Sequence, residues 1–122
     1  MLAFRPSTGT APQEFVQWAG VAALADEAHV EEVRAVYRAK RETLLPLLER
    51  KGLRLAGGDA TFFLWLAVEG SSEAFARRLL DAGILVAPGS FFGVDGEGCV
   101  RMALVPTQAQ CERAAEILGE VL

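Results

Sequence analysis

We predict an α+β fold for this chain, in which a small sheet of about four strands carries helices packed on it and follows a long helical N-terminal third. Two observations predict it. Up to Lys51 the apolar residues recur at helical spacing, and after Gly52 short strand patterns alternate with helical ones. At 122 residues the chain has the size of one domain, large enough to bury about two thirds of its unfolded surface.

The first predicted helix opens at a capping signal. Thr10 and Gln13 have capping-box spacing with Pro12 in the first turn, and the helix is expected to run to about Ala25. Its sequence EFVQWAGVAALA is apolar on nearly every side, which is typical of a helix buried between larger parts. A domain of this size has little core to offer on both sides of such a helix, so we expect a neighbour that covers it.

A second, longer helix is predicted from about Ala28 to Lys51. Gly52 should end it, and Pro46 should bend it. Lys40, in the segment RAKRE, is placed on the charged face of this helix. The apolar face is predicted to consist of residues at helical spacing: Val30, Val33, Tyr37, Leu44 and Leu48.

The strands are predicted in the remainder of the chain. A short strand near 53–55 and a turn at 57–59 precede the strand TFFLWLAV, residues 61–68, whose two faces are both apolar. Such a strand is expected in the middle of a sheet that is covered on both sides. A helix over 72–82 and a short strand over 84–87 should follow.

The last strand and helix are predicted beyond residue 98. Thr107 and Gln110 form another capping box, which should open a final helix that runs to about Gly119. In the preceding strand, CVRMAL, alternate residues face opposite sides of the sheet: Val100, Met102 and Leu104 on one side, Cys99, Arg101 and Ala103 on the other.

Arg101 lies in this otherwise apolar strand, directly after a glycine-rich loop. Because desolvating a guanidinium is costly unless an anion takes up its donors, Arg101 either reaches water or pairs with an anion. An arginine on an edge strand that discourages aggregation, or one half of an internal salt bridge, satisfies the pattern as well as a ligand-binding arginine does. The strand pattern alone leaves these alternatives open.

The loop before this strand contains Gly93, Gly96 and Gly98. A nucleotide-binding glycine loop runs from a strand into a helix, so that helix amides face the phosphate, whereas this loop runs into a strand. We therefore predict turn glycines rather than a phosphate cradle. Phe91 and Phe92 in the same loop are by themselves typical of packing.

Composition and charge argue against several classes of protein. A net charge of −4 without a basic cluster argues against nucleic-acid binding, and no apolar run has the length of a membrane span. The N-terminus shows no signal-peptide pattern, and Cys99 and Cys111 lack CxxC spacing, so we expect a cytoplasmic protein with reduced thiols and no zinc site. His29, the only histidine, is predicted to be solvated on a helix.

Five segments, in this order along the chain, carry a resemblance to a known family. They are Tyr37-Arg38-x-x-Arg41, Gly52-Leu53, GGDATFFLWL, the APGSFFG of residues 87–93 and the GCVRMAL of residues 98–104. In order and spacing they resemble the C-terminal part of fold-type-I pyridoxal-phosphate-dependent aminotransferases of class I/II. The chain most resembles the aspartate aminotransferase-like class, with the succinyldiaminopimelate or acidic amino-acid branch as the nearest subgroup.

The resemblance implies a substrate-binding site. Arg101 corresponds to the arginine that binds the α-carboxylate of the amino-acid or 2-oxo-acid substrate, and its planar fork of donors suits a carboxylate. Other residues are implied near the substrate, and for these packing is the alternative to contact: Pro88, Gly89, Ser90 and Phe92 in the loop beside the arginine, and Thr61 and Phe62 near the substrate side chain. Ser7, Thr8 and Thr10 correspond to a stretch that in the family passes near the cofactor phosphate across the dimer.

The family's chemistry needs a lysine that forms a Schiff base with pyridoxal phosphate and an acidic residue that holds the pyridine nitrogen. Neither Lys40 nor Lys51, the only lysines, lies in the small-residue context that the family uses, and no aspartate matches the acidic partner. We therefore expect no catalytic residue in this chain and no activity from it alone.

The resemblance then implies two parts of an aminotransferase. Residues 27–122 look like the small C-terminal domain, and residues 1–26 look like a linker arm and helix that pack on a missing large domain, which binds the cofactor. A homodimer or larger assembly is expected. The alternative is an autonomous module that binds carboxylates or serves as an interaction domain without catalysis.

Overall fold

A computed structural model describes residues 11–122. Close contacts divide the chain into two units, one that ends at Arg34 and one that spans Ala35–Leu122. The predicted domain boundary between residues 26 and 27 stays a prediction. Within the described part of the chain, none of the helices combines the length and the apolar character that a membrane span needs.

The first unit contains helix α1 (Glu14–Ala25) and the start of helix α2 (Glu27–Arg50). Helix α1 begins after Gln13, whose side chain makes no capping hydrogen bond, so the helix starts later than the spacing of Thr10 and Gln13 predicts. No residue of α1 is buried. At the start of α2 the carboxylate of Asp26 accepts the amide hydrogens of Ala28 and His29, and side chains at this turn are exposed, as predicted for the histidine.

The second unit is α+β, with four strands, and confirms the predicted class. After α2 its elements are strand β1 (Arg54–Gly57), strand β2 (Phe63–Ala67), helix α3 (Ser72–Asp81), strand β3 (Ala87–Pro88), strand β4 (Cys99–Ala103) and helix α4 (Gln108–Val121). Two short 3-10 turns, Gly89–Phe92 and Val94–Gly96, lie between β3 and β4. The strand predicted over 84–87 is much shorter, because only Ala87 and Pro88 lie alongside a partner strand.

The sheet is antiparallel in the order β1-β2-β4-β3. Strand β2 pairs with both β1 and β4 and is therefore interior, as predicted. Strand β4 is interior as well, because Arg101 pairs with Trp65 on one side and with Ala87 on the other. The interpretation of Arg101 as an edge-strand residue is therefore wrong.

The two faces of the sheet differ in burial. On one, which we call the covered face, Leu64, Leu66, Val100 and Met102 are buried and pack with helices α2, α3 and α4. The helices contribute these buried residues: Leu44 and Leu48 from α2, Ala76 and Leu79 from α3, Cys111 and Leu118 from α4.

The other, which we call the open face, carries Phe63, Trp65, Cys99 and Arg101, all of them half-buried. The prediction that β2 is covered on both sides therefore holds for one side only. An apolar pattern indicates that side chains are shielded from water, but it does not indicate what shields them. On the open face the aromatic residues are partly shielded by contacts with other aromatic rings.

Helix α4 begins with the predicted capping box. The hydroxyl of Thr107 accepts the amide hydrogen of Gln110, and the side-chain oxygen of Gln110 accepts that of Thr107 at 2.9 Å. The helix runs past Gly119 to Val121.

The predicted apolar face of α2 is buried only in its second half. Leu44 and Leu48 are in the core, whereas Val33 is exposed. The prediction that Lys40 lies on the exposed charged face of α2 is wrong. Lys40 is only 6% exposed, and its amine donates a hydrogen bond to the carbonyl of Leu104 at 3.0 Å. The bond satisfies a buried carbonyl just past the end of β4, which helix periodicity cannot reveal.

Candidate functional site

Arg101 lies on the open face between two aromatic rings. The central carbon of its guanidinium is 4.2 Å from the ring centroid of Phe63 and 4.4 Å from that of Phe92. Aromatic faces attract cations, and two such contacts hold a guanidinium in one orientation more firmly than one contact does. Strand β4 therefore places the residue, and the two rings orient its head group.

The guanidinium has no anionic partner among residues 11–122. The two ion pairs in this part of the chain join Asp26 to His29 and Glu31 to Arg34. The interpretation of Arg101 as half of an internal salt bridge therefore fails for the described chain. Aromatic contacts leave the N–H groups of a guanidinium available, so this head group can receive a planar anion such as a carboxylate.

Further aromatic rings extend the site along the sheet. The rings of Phe92 and Trp65 form a T-shaped pair with their centroids 5.1 Å apart, and the centroids of the Phe62 and Phe63 rings are 4.4 Å apart. Phe62 and Phe92, two of the predicted site residues, thus belong to one aromatic wall. Phe92 contacts Arg101 directly, whereas Phe62 reaches it through Phe63, which the sequence analysis did not single out as a site residue.

The loop from 87 to 98 carries Phe92 over the open face. Gly93 and Gly98 have φ angles of 104° and 79°, which confirms the prediction of turn glycines. Gly96 has another reason to be glycine, because its backbone crosses that of Gly89. A Cβ atom built on Gly96 would lie 2.2 Å from the carbonyl oxygen of Gly89, and one built on Gly89 would lie 1.8 Å from that of Gly96, so a side chain fits at neither position.

Ser90, another predicted site residue, is bonded toward helix α3. Its hydroxyl donates to the carboxylate of Glu73 at 2.9 Å, and its amide donates to the hydroxyl of Ser72 at 3.3 Å. The structure thus gives the Ser90 hydroxyl a partner within the chain and does not bring it to the guanidinium. Its proposed contact with a substrate stays a prediction, as do those of the buried Pro88 and Gly89.

Sequence reasoning missed Ser72 and Glu97. Ser72 is fully buried, its amide donates to one carboxylate oxygen of Glu97 at 2.7 Å, and its hydroxyl donates to the other at 2.9 Å. The bond from the amide of Ser72, followed by the bond from its hydroxyl, lowers the pKa of Glu97 below its ordinary value. The two residues are far apart in the chain, and neither lies in a pattern that would have pointed to the other.

Arg41, noted only as part of the family resemblance, anchors the turn between β1 and β2. Its guanidinium donates to the carbonyl oxygens of Gly58 and Thr61. The hydroxyl of Thr61 accepts the amide hydrogen of Phe63 at 3.0 Å, so this hydroxyl also has a structural partner. The remaining predicted site residues, Ser7, Thr8 and Thr10, lie outside the described residues.

The two cysteines are both free thiols, Cys99 half-buried on the open face and Cys111 in the core. Burial raises the pKa of the Cys111 thiol, which disfavours its thiolate form. Among residues 11–122 there is no cluster of histidine, cysteine, aspartate and glutamate that could hold a metal ion.

Comparison with known proteins gives consistent matches. The family model described as aminotransferase class I and II matches residues 3–118. A 4-dedimethylamino-4-oxo-anhydrotetracycline transaminase, OxyQ of Streptomyces rimosus, is 40% identical over 94% of this chain and 32% of that protein. An LL-diaminopimelate aminotransferase of Aquifex aeolicus is 45% identical over 84% of this chain and 28% of that protein.

Solved structures agree in fold. An aminotransferase from Neisseria meningitidis superposes with a TM-score of 0.84 at 40% identity, over 98% of this chain and 32% of that chain. An aspartate aminotransferase variant from Thermus thermophilus gives a TM-score of 0.76 at 31% identity, over 99% of this chain and 34% of that chain. The chain thus spans about a third of the length of the relatives that it matches. On its sequence and its fold, this chain belongs to the aminotransferase class I and II family.

Proposed function

We propose that this chain forms the small domain of a pyridoxal-phosphate-dependent aminotransferase, which transfers an amino group between an amino acid and a 2-oxo acid. In this proposal Arg101 binds the α-carboxylate of the substrate. The observation that carries it is the guanidinium stacked between Phe63 and Phe92 without an anionic partner among the described residues. Since amino acids and 2-oxo acids share this carboxylate, one arginine serves both.

The geometry explains how the site would distinguish carboxylates. The half-buried position of Arg101 weakens the competition from water, which strengthens each hydrogen bond to an anion. The two rings restrict rotation of the guanidinium, so less conformational entropy is lost when a carboxylate binds. The neighbouring Trp65 and Phe62 would offer apolar surface to the rest of the substrate.

The described residues do not fit pyridoxal phosphate itself. The cofactor requires an amine that can form a Schiff base. The amine of Lys40 is buried and donates to the carbonyl of Leu104, and the amine of Lys51 donates to the carbonyl of Gly119 at 2.6 Å. We therefore place the cofactor and its lysine in another part of the enzyme, and we assign to this chain the binding of the substrate carboxylate, with no catalytic activity of its own.

The exposed apolar surface of helix α1 supports the proposal that another domain packs on this chain. The helix side chains Phe15, Trp18, Val21 and Leu24 are between 61% and 85% exposed, an amount of apolar surface that normally has a partner. We propose that residues 1–26 connect to a large domain that covers this helix, that residues 27–122 act as the small domain, and that the enzyme is a homodimer or larger assembly. The free thiols agree with a cytoplasmic location.

The substitution Arg101→Gln in the complete enzyme tests the role of the arginine. Removing one partner of a desolvated charge pair costs about 2–5 kcal/mol, or about 30-fold to a few thousand-fold in kcat/KM for an amino acid. Arg101→Lys keeps the charge without the planar fork and should lose less. The amine that corresponds to the decarboxylated amino acid should react equally well with all three forms, as measured by single-turnover kinetics.

A matched control is Arg78→Gln. Arg78 also stacks on an aromatic ring, with its guanidinium carbon 5.0 Å from the centroid of Phe75, but it belongs to helix α3 and not to the open face. Arg78→Gln should leave the single-turnover rates of the amino acid and of the amine unchanged. Equal losses for the amino acid and the amine in Arg101→Gln would mean that Arg101 supports the fold and does not bind the carboxylate.

A further inference from the structure

A side-chain network joins the loop of the open face to helix α3. Ser72, the first residue of α3, donates its amide and its hydroxyl to the two carboxylate oxygens of Glu97, at 2.7 Å and 2.9 Å. Glu97 lies two residues before the first residue of the strand that carries Arg101. A carboxylate that accepts two bonds from one residue is held in direction as well as in distance.

The hydroxyl of Ser72 connects this carboxylate to the other end of the loop. It donates to Glu97 and accepts the amide hydrogen of Ser90 at 3.3 Å. A hydroxyl has a single hydrogen, so its use by Glu97 leaves the oxygen's lone pairs for the amide of Ser90. Ser72 itself is fully buried, whereas Glu97 is exposed, so both side-chain bonds of Ser72 are partly shielded from water.

The network encloses the segment that contacts Arg101. Ser90 and Glu97 flank Phe92, and the backbones of Gly89 and Gly96 cross at the base of the same loop. Phe92 in turn is 45% exposed, so its ring is not held by the core and depends on its loop for its position. The ring contacts the guanidinium of Arg101 and forms a T-shaped pair with the ring of Trp65.

We propose that Glu97 and Ser72 are positioning residues that hold the loop so that Phe92 stays stacked on Arg101 and keeps its guanidinium oriented for the substrate carboxylate. This inference rests on the proposed function, because it assigns a consequence to the orientation of Arg101. Neither residue touches the substrate. Their effect passes through the loop to Phe92 and from Phe92 to the guanidinium.

The substitution Glu97→Gln tests the side-chain network of Ser72 and Glu97 directly. Glutamine replaces one of the two carboxylate oxygens with an NH2 donor and removes the charge, so it cannot accept the amide and the hydroxyl of Ser72 on two separate oxygens as Glu97 does. In the complete enzyme, hydrogen exchange followed by mass spectrometry should show at least about 10-fold faster exchange in peptides that cover residues 87–98. Glu97 is exposed, so this variant is expected to fold.

The control is Asp95→Asn, which removes a carboxylate from the same loop. Asp95 is exposed, and no hydrogen bond or ion pair of its side chain occurs among residues 11–122. Its exchange pattern should match that of the unmodified enzyme. Ser72→Ala should resemble Glu97→Gln, and the double variant should lose no more than the stronger single variant, because both changes break the same network.

Kinetics then test the consequence for the substrate. Loss of one cation–π contact corresponds to about 2- to 5-fold in kcat/KM for the amino acid. The decarboxylated amine should be unaffected by Glu97→Gln, whereas a general loss of folded enzyme would lower both rates equally. Unchanged exchange in the loop, equal losses for the two substrates, or the same losses in Asp95→Asn would each overturn the inference.

The failure of the proposed function is recognisable by itself. If Arg101→Gln weakens the amino acid and the amine equally, the proposed role of Arg101 is wrong, and the inference about Glu97 falls with it. If Arg101→Gln discriminates between them and Glu97→Gln does not, the carboxylate site stands and the positioning role is wrong.

Discussion

The covered and the open face are built from alternate residues of the same two strands. On the covered face Leu64, Leu66 and Val100 are at most 1% exposed, because three helices pack on them. On the open face Phe63 and Arg101 are half-buried and contact each other. A strand directs successive side chains to opposite sides, so stability and the candidate site can change independently within one strand.

The difference also concerns the kind of contact on each face. Aliphatic side chains stabilise the covered face through the apolar area that they bury. The loss in free energy of unfolding therefore depends on the side-chain volume that a substitution removes. The open face depends on direction, because a cation must lie over a ring and a carboxylate must meet the guanidinium in its plane. Substitutions on the two faces should therefore be detected by different measurements.

The largest effect on stability is expected from Leu64→Ala on the covered face. The fully buried side chain leaves a cavity, and the free energy of unfolding should fall by about 2–5 kcal/mol. Urea denaturation measures this change. Leu85→Ala removes the same atoms from a side chain that is 79% exposed and should change the free energy by less than about 0.5 kcal/mol. Equal losses in the two variants would contradict the contrast in burial.

A smaller effect is expected from Gly89→Ala in the loop of the open face. The new methyl group would overlap the carbonyl of Gly96, so the loop must shift at a cost of about 1–3 kcal/mol. Gly119→Ala is the control, because it lies in helix α4 with no atom closer than 4.0 Å to the added carbon, and alanine is the better helix former. Thermal unfolding of the two variants should move in opposite directions, and a stabilised Gly89→Ala would contradict the close crossing.

The smallest effect is expected from acid acting on Glu97. Its pKa is lowered below the ordinary 4.5 by the bonds from Ser72, so the folded state favours the charged carboxylate. The contribution to stability is complete above pH 4.5 and is lost as the pH falls through the lowered pKa. Glu73 is a second carboxylate at this loop, because it accepts a hydrogen bond from the hydroxyl of Ser90. It makes no described hydrogen bond to Glu97.

Exchange rates of the loop peptides as a function of pH would measure this effect. Protection of residues 87–98 should decline below pH 4.5 in the unmodified protein and be independent of pH there in Glu97→Gln. A decline of the same size in Glu97→Gln would mean that another group titrates.

Much of the fold could be predicted from local patterns. The capping box at Thr107 and the alternation in CVRMAL are confirmed, because each depends on residues close together in the chain. The interior position of β2 is confirmed as well, although the same apolar pattern also predicted cover on both faces. The errors have a common cause. The burial of Lys40 depends on a carbonyl 64 residues away, and the half-open face of β2 depends on where the helices pack.

The sequence by itself determined the class of fold, the resemblance to the aminotransferases and the choice of Arg101, because periodicity and motif spacing are properties of neighbouring residues. Only the tertiary structure decided that Arg101 lies on an interior strand, that Phe63 and Phe92 enclose its guanidinium, and that Ser72 binds Glu97. These contacts join segments far apart in the chain. Their register and direction follow from how strands pair and helices pack, which no local pattern encodes.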